Sequence, residues 1–368
     1  MSDVIFCILS EISYRTPENI RSLQSACLCN RDIQQEAEAL LYSSIWVFGP
    51  TAMTSLLSAL TTRGRGIHRR NSVKTLIFGQ SQEMYPADDV FTLLLLLENL
   101  VDLELRVVHG VPLPITRDLP FRLRRFSSIF DPIRGNVKDF LATQPSIRYL
   151  RVPYEQVTST QPRAIPLTLL PNLVDVDGSS TSLMYLLPGR PITKVHCERM
   201  DPTTIEELCL HLGRSMVPVT YFHIHHAMAH KHRPEWILRW IAQAAPHLQE
   251  MYLHDTSNTL FVSQSPSAHY HGSTLGWLKH LAGFSNLEKF TYSIDTGVAN
   301  VRWMISRAPD FAKKSHQCCP TLVRVYLRLW IGERVYEYRP YLIPCKEIEC
   351  SMRGGRWMVS KISTVYQH

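Results

Sequence analysis

The sequence predicts an α/β fold of stacked strand–helix units, with short parallel strands inside and helices outside. Three observations carry that prediction. A six-residue phrase, apolar–x–x–apolar–x–apolar, keeps returning, as at Ile147, Leu150 and Val152 and again at Leu248, Met251 and Leu253. Amphipathic helical stretches fill the intervals between phrases. Composition completes the case: 45% hydrophobic against 19% charged residues is the balance of a folded chain with a large core.

At 368 residues the chain can hold two ordinary domains or one extended repeat array. Its net charge of +7 is modest for that length and is no nucleic-acid footprint by itself. The cysteines are odd in number, scattered and without a CxxC pair. Neither a disulfide framework nor a zinc module is expected, and reduced thiols in a cytoplasmic or nuclear protein are the plainer reading. The apolar run Val4 to Leu9 is flanked by Asp3 and Glu11, so no signal peptide is expected. Leu93 to Leu97 falls far short of the roughly 20 apolar residues that span a bilayer, so no membrane partner is expected.

Residues 1–48 form a first unit. Val4, Ile5, Ile8, Leu9 and Ile12 recur at helical spacing. Pro17 suits the first turn of a second helix that carries Ile20, Leu23, Ala26 and Cys27. A third helix, Arg31 to Leu41, precedes a β-branched and aromatic strand over Tyr42 to Val47. The unit is too small to bury all these apolar side chains by itself.

These residues resemble an F-box, most closely the divergent fungal F-box-like sequences that precede leucine-rich repeats. The likeness runs through Asp3–Ile12, Ile20–Arg31, Glu36–Ala37 and Leu40–Ile45. It implies a three-helix unit that docks on the Skp adaptor of a cullin–RING ubiquitin ligase. Val4, Ile5, Ile8, Leu9, Leu23, Ala26 and Cys27 would supply the adaptor contact. The chain departs from the family twice: no Leu-Pro opens the motif, and Asp32 and Ile33 follow Arg31 where a tryptophan is usual. A second reading therefore stays open, a repeat scaffold whose degenerate F-box merely caps the array.

Residues 49–72 are expected to connect the two parts: a short helix around Leu56, Leu57 and Leu60, then a mobile, solvated basic loop with Arg63, Arg65, Arg69 and Arg70. The phrase starts at Val73 and returns at Leu100, Leu123, Ile147, Leu173, Ile192, Val219, Leu248, Leu287 and Leu322. Starts lie about 19 to 39 residues apart, most within the 20–29 of leucine-rich repeats. An irregular leucine-rich-repeat solenoid over 73–330 is expected, with about ten strands. Helices are expected from Pro202, from Arg233, from Ser273 and from Val298, burying Trp236, Trp240, Trp277 and Trp303 against the strands. From 331 to 368 the phrase is lost, and a terminal cap with short strands is expected.

No catalytic motif emerges. There is no G-x-S-x-G elbow, no P-loop and no Rossmann glycine fingerprint, so neither an enzyme nor a cofactor is expected. The histidines from His223 to His232 are the one candidate metal cluster. On a pleated strand His223 and His225 would both point away from the face that buries Ile224, giving a solvated histidine surface with no metal. Target recognition is expected on residues between the strand anchors: Arg148 and Arg151, Tyr221 and His223, Glu250 and Tyr252, Arg324 and Tyr326. Their mixed signs, with Asp175, Asp177, Lys194 and His196 among them, argue against a dedicated nucleic-acid groove.

Overall fold

The computed structural model describes residues 17–79, 81, 83–106, 111, 113, 119–129, 135–152, 165–199, 204–226, 234–255, 276–296, 301–331, 343–353 and 356–367. Its contacts divide the chain into two compact units, Met1–Leu173 and Val174–His368. The division falls inside the expected 73–330 array. Each unit is an open, mixed α/β assembly built on a mostly parallel sheet. Among the described residues no helix is long and apolar enough to cross a membrane.

The first unit begins with α1 (Pro17–Ala26) and α2 (Arg31–Ser43). Asn30 caps α2 by accepting a 2.9 Å hydrogen bond from the Ile33 N–H. Leu23 and Ala37 are the buried centre of this helix pair, with Ala26, Cys27, Ile33, Leu40 and Leu41 packed around them. The expected first helix, over Val4 to Ile12, lies outside the described residues. The strand β1 (Ser44–Val47) is shorter than expected, because α2 continues through Tyr42 and Ser43.

The stretch expected as a basic loop is a loop only in part: Arg63 and Arg65 lie exposed in a turn, but Arg69 and Arg70 are helical. After α3 (Pro50–Thr61) comes α4 (Gly66–Ser72), which carries Arg69 and Arg70. Arg69 forks onto Glu38 of α2, donating from Nε and Nη2 at 3.2 Å each, and its guanidinium lies over the Tyr42 ring. Gly66 must be glycine, since a Cβ there would sit 2.3 Å from the Leu60 carbonyl oxygen. The arginines therefore hold the connector against α2, and only a contact 31 residues distant in sequence reveals it.

Strands β2 (Thr75–Phe78), β3 (Asp102–Leu105), β4 (Arg125–Ser128) and β5 (Tyr149–Val152) continue in parallel from β1. Helices α5 (Ala87–Leu96) and α6 (Gly135–Ala142) join the unit. Register puts Leu76, Leu103, Phe126 and Leu150 in one row, all fully buried. The anchors of the repeated phrase have become the rows of one core. At about 25 cal/mol per Å² of apolar surface, each such side chain supplies roughly 1.5–3 kcal/mol.

The second unit runs β6 (Asp175–Ser179), α7 (Ser180–Leu186), β7 (Lys194–Arg199), α8 (Ile205–Leu212), β8 (Tyr221–His226), α9 (Pro234–Ala244) and β9 (Glu250–Asp255). A 3₁₀ helix (Gly276–Gly283), β10 (Lys289–Thr296), α10 (Val301–Cys318) and β11 (Arg324–Ile331) follow. Strands β6 to β11 are parallel neighbours. Val176, Val195, Phe222, Met251, Phe290 and Val325 make one core row; Cys197, Ile224, Leu253, Tyr292 and Leu327 make the next. Trp277 is buried against Tyr292 and Phe311 as expected, whereas Trp236 is 53% exposed and Trp240 half-buried. The Trp303 side chain lies outside the described residues. Arg190 is buried to 1% and donates to the carbonyls of Tyr185, Leu186 and Pro188, closing the end of α7.

The C-terminal segment is no set of short strands. Strands β12 (Ile343–Arg353) and β13 (Arg356–Gln367) form a long antiparallel hairpin on β11. Glu349 and Cys350 pair with Lys361 and Val359, so Ser360 is an extra residue and bulges β13, its hydroxyl donating to the Glu349 carbonyl. Tyr336, Tyr338 and Tyr341 lie outside the described residues.

Candidate functional site

Side chains alternate along a strand, so every row of core anchors is flanked by rows on the other face of the sheet. In the second unit one such row is Asp175, Lys194, Tyr221, Glu250, Lys289 and Arg324. The next is Asp177, His196, His223, Tyr252, Thr291 and Tyr326. A third holds His225, His254, Ser293 and Arg328. The expected target-binding residues Tyr221, His223, Glu250, Tyr252, Arg324 and Tyr326 are all here, on the face opposite the core.

The inner rows of this face are not the solvated surface that the sequence suggested. Tyr252 is 8% exposed and His254 7%. The rings interlock: His223 stands edge-on to Tyr252 at 4.1 Å between centroids and to His196 at 5.6 Å, and His225 pairs with His254 at 4.3 Å. Trp330 stacks on His254 at 5.9 Å and donates its indole N–H to the Ser293 hydroxyl at 2.6 Å. Arg328 lies over the Tyr252 ring and donates from Nε to the Glu347 carboxylate of β12. Sequence could place His223 and His225 opposite Ile224, and there the structure agrees. It could not show burial, which comes from neighbours tens of residues away.

Burial, together with the cations that His196, His225, His254 and Arg328 would present, pushes the His223 imidazole down to about 3. His223 is therefore neutral at physiological pH. Its Nδ1 lies 3.4 Å from Nδ1 of His196, whose Nε2 is 3.4 Å from the Asp175 carboxylate. The buried His223 Nε2 has no hydrogen-bond partner, and neither has the buried Asp175 Oδ1. Among the described residues no group of three or more His, Cys, Asp or Glu is arranged to hold a metal ion. His230 and His232 lie outside the described residues.

The first unit's polar face is built differently. Its rows are Ser44, Thr75, Asp102, Arg125 and Tyr149, then Trp46, Ile77, Glu104, Ser127 and Arg151. Arg125 reaches Asp102 at 3.6 Å and lies over Tyr149; Arg106 forks onto Glu104 and lies over Trp46. Arg151 belongs to this face. Arg148 does not: it precedes β5 by one residue, and its N–H donates to the Arg124 carbonyl on the rim where the strands begin.

Of the expected adaptor-binding residues, Val4, Ile5, Ile8 and Leu9 lie outside the described residues. Leu23 is 3% exposed, inside the helix pair, and Ala26 and Cys27 are half-buried. Two residues that sequence reasoning left out stand outward: Ile20 at 44% and Leu28 at 87% exposure. Leu28 falls in the turn after α1, beyond the helical stripe that pattern reading follows. It borders a cleft of about 440 Å³ shared with Cys27, Cys29, Arg31 and Arg65.

No protein-family model matches the chain, and no curated protein matches it.

Proposed function

We propose that the protein is the substrate-recognition subunit of a cullin–RING ubiquitin ligase, with an F-box-like helical unit followed by an irregular leucine-rich-repeat solenoid. The observation that carries this reading is the pair of exposed apolar side chains, Ile20 within α1 and Leu28 in the turn after it, on a helix whose inward side is already filled by Leu23. Such a helix has apolar surface left for a partner. The Skp adaptor would take that surface, together with Val4, Ile5, Ile8 and Leu9. A target protein would take the accessible residues of the polar faces, Arg151, Tyr221, Glu250, Arg324 and Tyr326, with the half-buried His223 and the buried Tyr252 holding that surface in shape. No bond chemistry is assigned to the chain. It would act by raising the target's concentration beside the ubiquitin-loaded enzyme, in the cytoplasm or nucleus.

The test is co-elution of the full chain with the adaptor. Leu28→Asp adds a charge at an exposed position, so the fold is kept while a desolvated contact would be lost. We expect wild type to form a stoichiometric complex and both Leu28→Asp and Ile8→Asp to abolish it. A complex that forms unchanged in both variants refutes the assigned surface. No complex with wild type leaves the second reading, a repeat scaffold with a degenerate F-box. That reading is favoured by the absent Leu-Pro and tryptophan and by the 3% exposure of Leu23.

A further inference from the structure

We propose that the rim of the first unit, where its parallel strands begin, is a docking line for an acidic, extended polypeptide segment. The residue just before each strand sits on this rim, linked to the next by backbone hydrogen bonds. The Lys74 carbonyl accepts from Val101 and Asp102, the Val101 carbonyl from Arg124 and Arg125, and the Arg124 carbonyl from Arg148 and Tyr149. The rim therefore reads Lys74, Val101, Arg124, Arg148. All three cations are exposed, and none has a carboxylate within ion-pair distance among the described residues. One turn upstream of Lys74, the Arg70 Nε is buried without a hydrogen-bond partner.

The same structural position in the second unit holds Thr193, Thr220, Gln249, Glu288 and Val323, with no cation among them. Basic charge is thus not a requirement of the rim geometry. Strands stand about 4.8 Å apart, which puts Arg124 and Arg148 one step apart and Lys74 two steps from Arg124. Held so closely, the like charges repel, and an anion laid along the rim relieves the repulsion. Carboxylates on alternate residues of an extended chain recur every 6–7 Å or so, a spacing long side chains on this line can meet.

A narrow polypeptide fits better than nucleic acid. The rim carries no aromatic side chain on which a base could stack. On the adjoining face the nearest ring, Tyr149, is already covered by the Arg125 guanidinium. The inference stands apart from the adaptor reading, since it uses none of the N-terminal helices.

The test measures fluorescence anisotropy of a labelled poly-glutamate peptide with the full chain at low salt. The rim variant combines Lys74→Glu, Arg124→Glu and Arg148→Glu. The control combines Lys279→Glu, Lys313→Glu and Lys314→Glu, exposed lysines of the second unit with the same total charge change. Wild type is expected to bind, the rim variant to lose about tenfold or more, and the control to stay within about twofold. Arg148→Gln alone, expected to lose about two- to threefold, decides the matter if the triple variant melts early. No binding by wild type overturns the proposal, as do equal losses in rim and control variants. So does a single-stranded RNA of equal charge that displaces the peptide more strongly than unlabelled peptide does.

Discussion

On the polar face of the first unit, cations and carboxylates meet in the open. The Arg125 side chain is 58% exposed beside Asp102, and Arg106 is 43% exposed beside Glu104. On the polar face of the second unit the outer row is also open, with Lys289 39% exposed beside Glu250 at 44%, but the inner rows are dry: Ser293 is fully buried, Thr291 is 4% exposed and Tyr252 8%. The parallel backbone and the alternation of core and polar rows are common to both. Small or aromatic residues let the inner rows of the second face close on themselves, while long charged side chains keep the first face's ion pairs wet. One face is cheap to alter and screened by salt. The other is preorganised, so any change there disturbs neighbours on several strands.

The largest effect should separate the two arginine pairs. Arg328→Ala removes the partner of Glu347, which is 17% exposed, and the cation over Tyr252. We expect a loss of about 2–4 kcal/mol, toward the lower side of a broken buried pair because Arg328 itself is 32% exposed. Urea unfolding at neutral pH measures it. A loss below about 0.5 kcal/mol would mean that the network is as wet as the first unit's ion pairs.

Acid should come next. His223 titrates near 6.5 when unfolded and at about 3 when folded. A lowered histidine pKa leaves stability intact above pH 6.5, where the group is neutral in both states. Below that the unfolded chain binds the proton first, so stability falls progressively from pH 6.5 toward pH 3. At pH 4.5 the loss from His223 is about 2–3 kcal/mol. His223→Phe keeps the ring contacts, removes the unpartnered Nε2 and should flatten this part of the pH profile. An unchanged slope in that variant would move the effect to other groups.

The repeated phrase made the core legible. Leu150 and Val152, Phe222 and Ile224, and Met251 and Leu253 are all at most 1% exposed, as their spacing required. The histidines' side of β8 was legible for the same reason. What the sequence hid was made by partners far along the chain. Glu38 fixes Arg69 from 31 residues away, Ser293 holds Trp330 from 37, and Glu347 pairs with Arg328 from the hairpin. Trp236 was misjudged, and Leu28 passed over, for a different reason. Helical periodicity says which residues share a face, and is silent on whether anything covers the end of the helix.

The smallest effect belongs to the first face, and it tests whether that face is as wet as its exposure implies. Arg125→Ala breaks the 3.6 Å contact with Asp102 and removes the guanidinium from the Tyr149 ring. At 58% exposure the ion pair is worth at most about 1 kcal/mol, and the cation–π contact about 0.5–1 kcal/mol. The two share one side chain and one desolvation, so they do not add fully. A net loss of about 0.5–1 kcal/mol in 50 mM salt should shrink by roughly half in 0.5 M salt, as the Debye length contracts below about 5 Å. Arg328→Ala, measured alongside, should keep most of its loss at high salt. Equal salt sensitivity in the two variants would erase the distinction between an open face and a closed one.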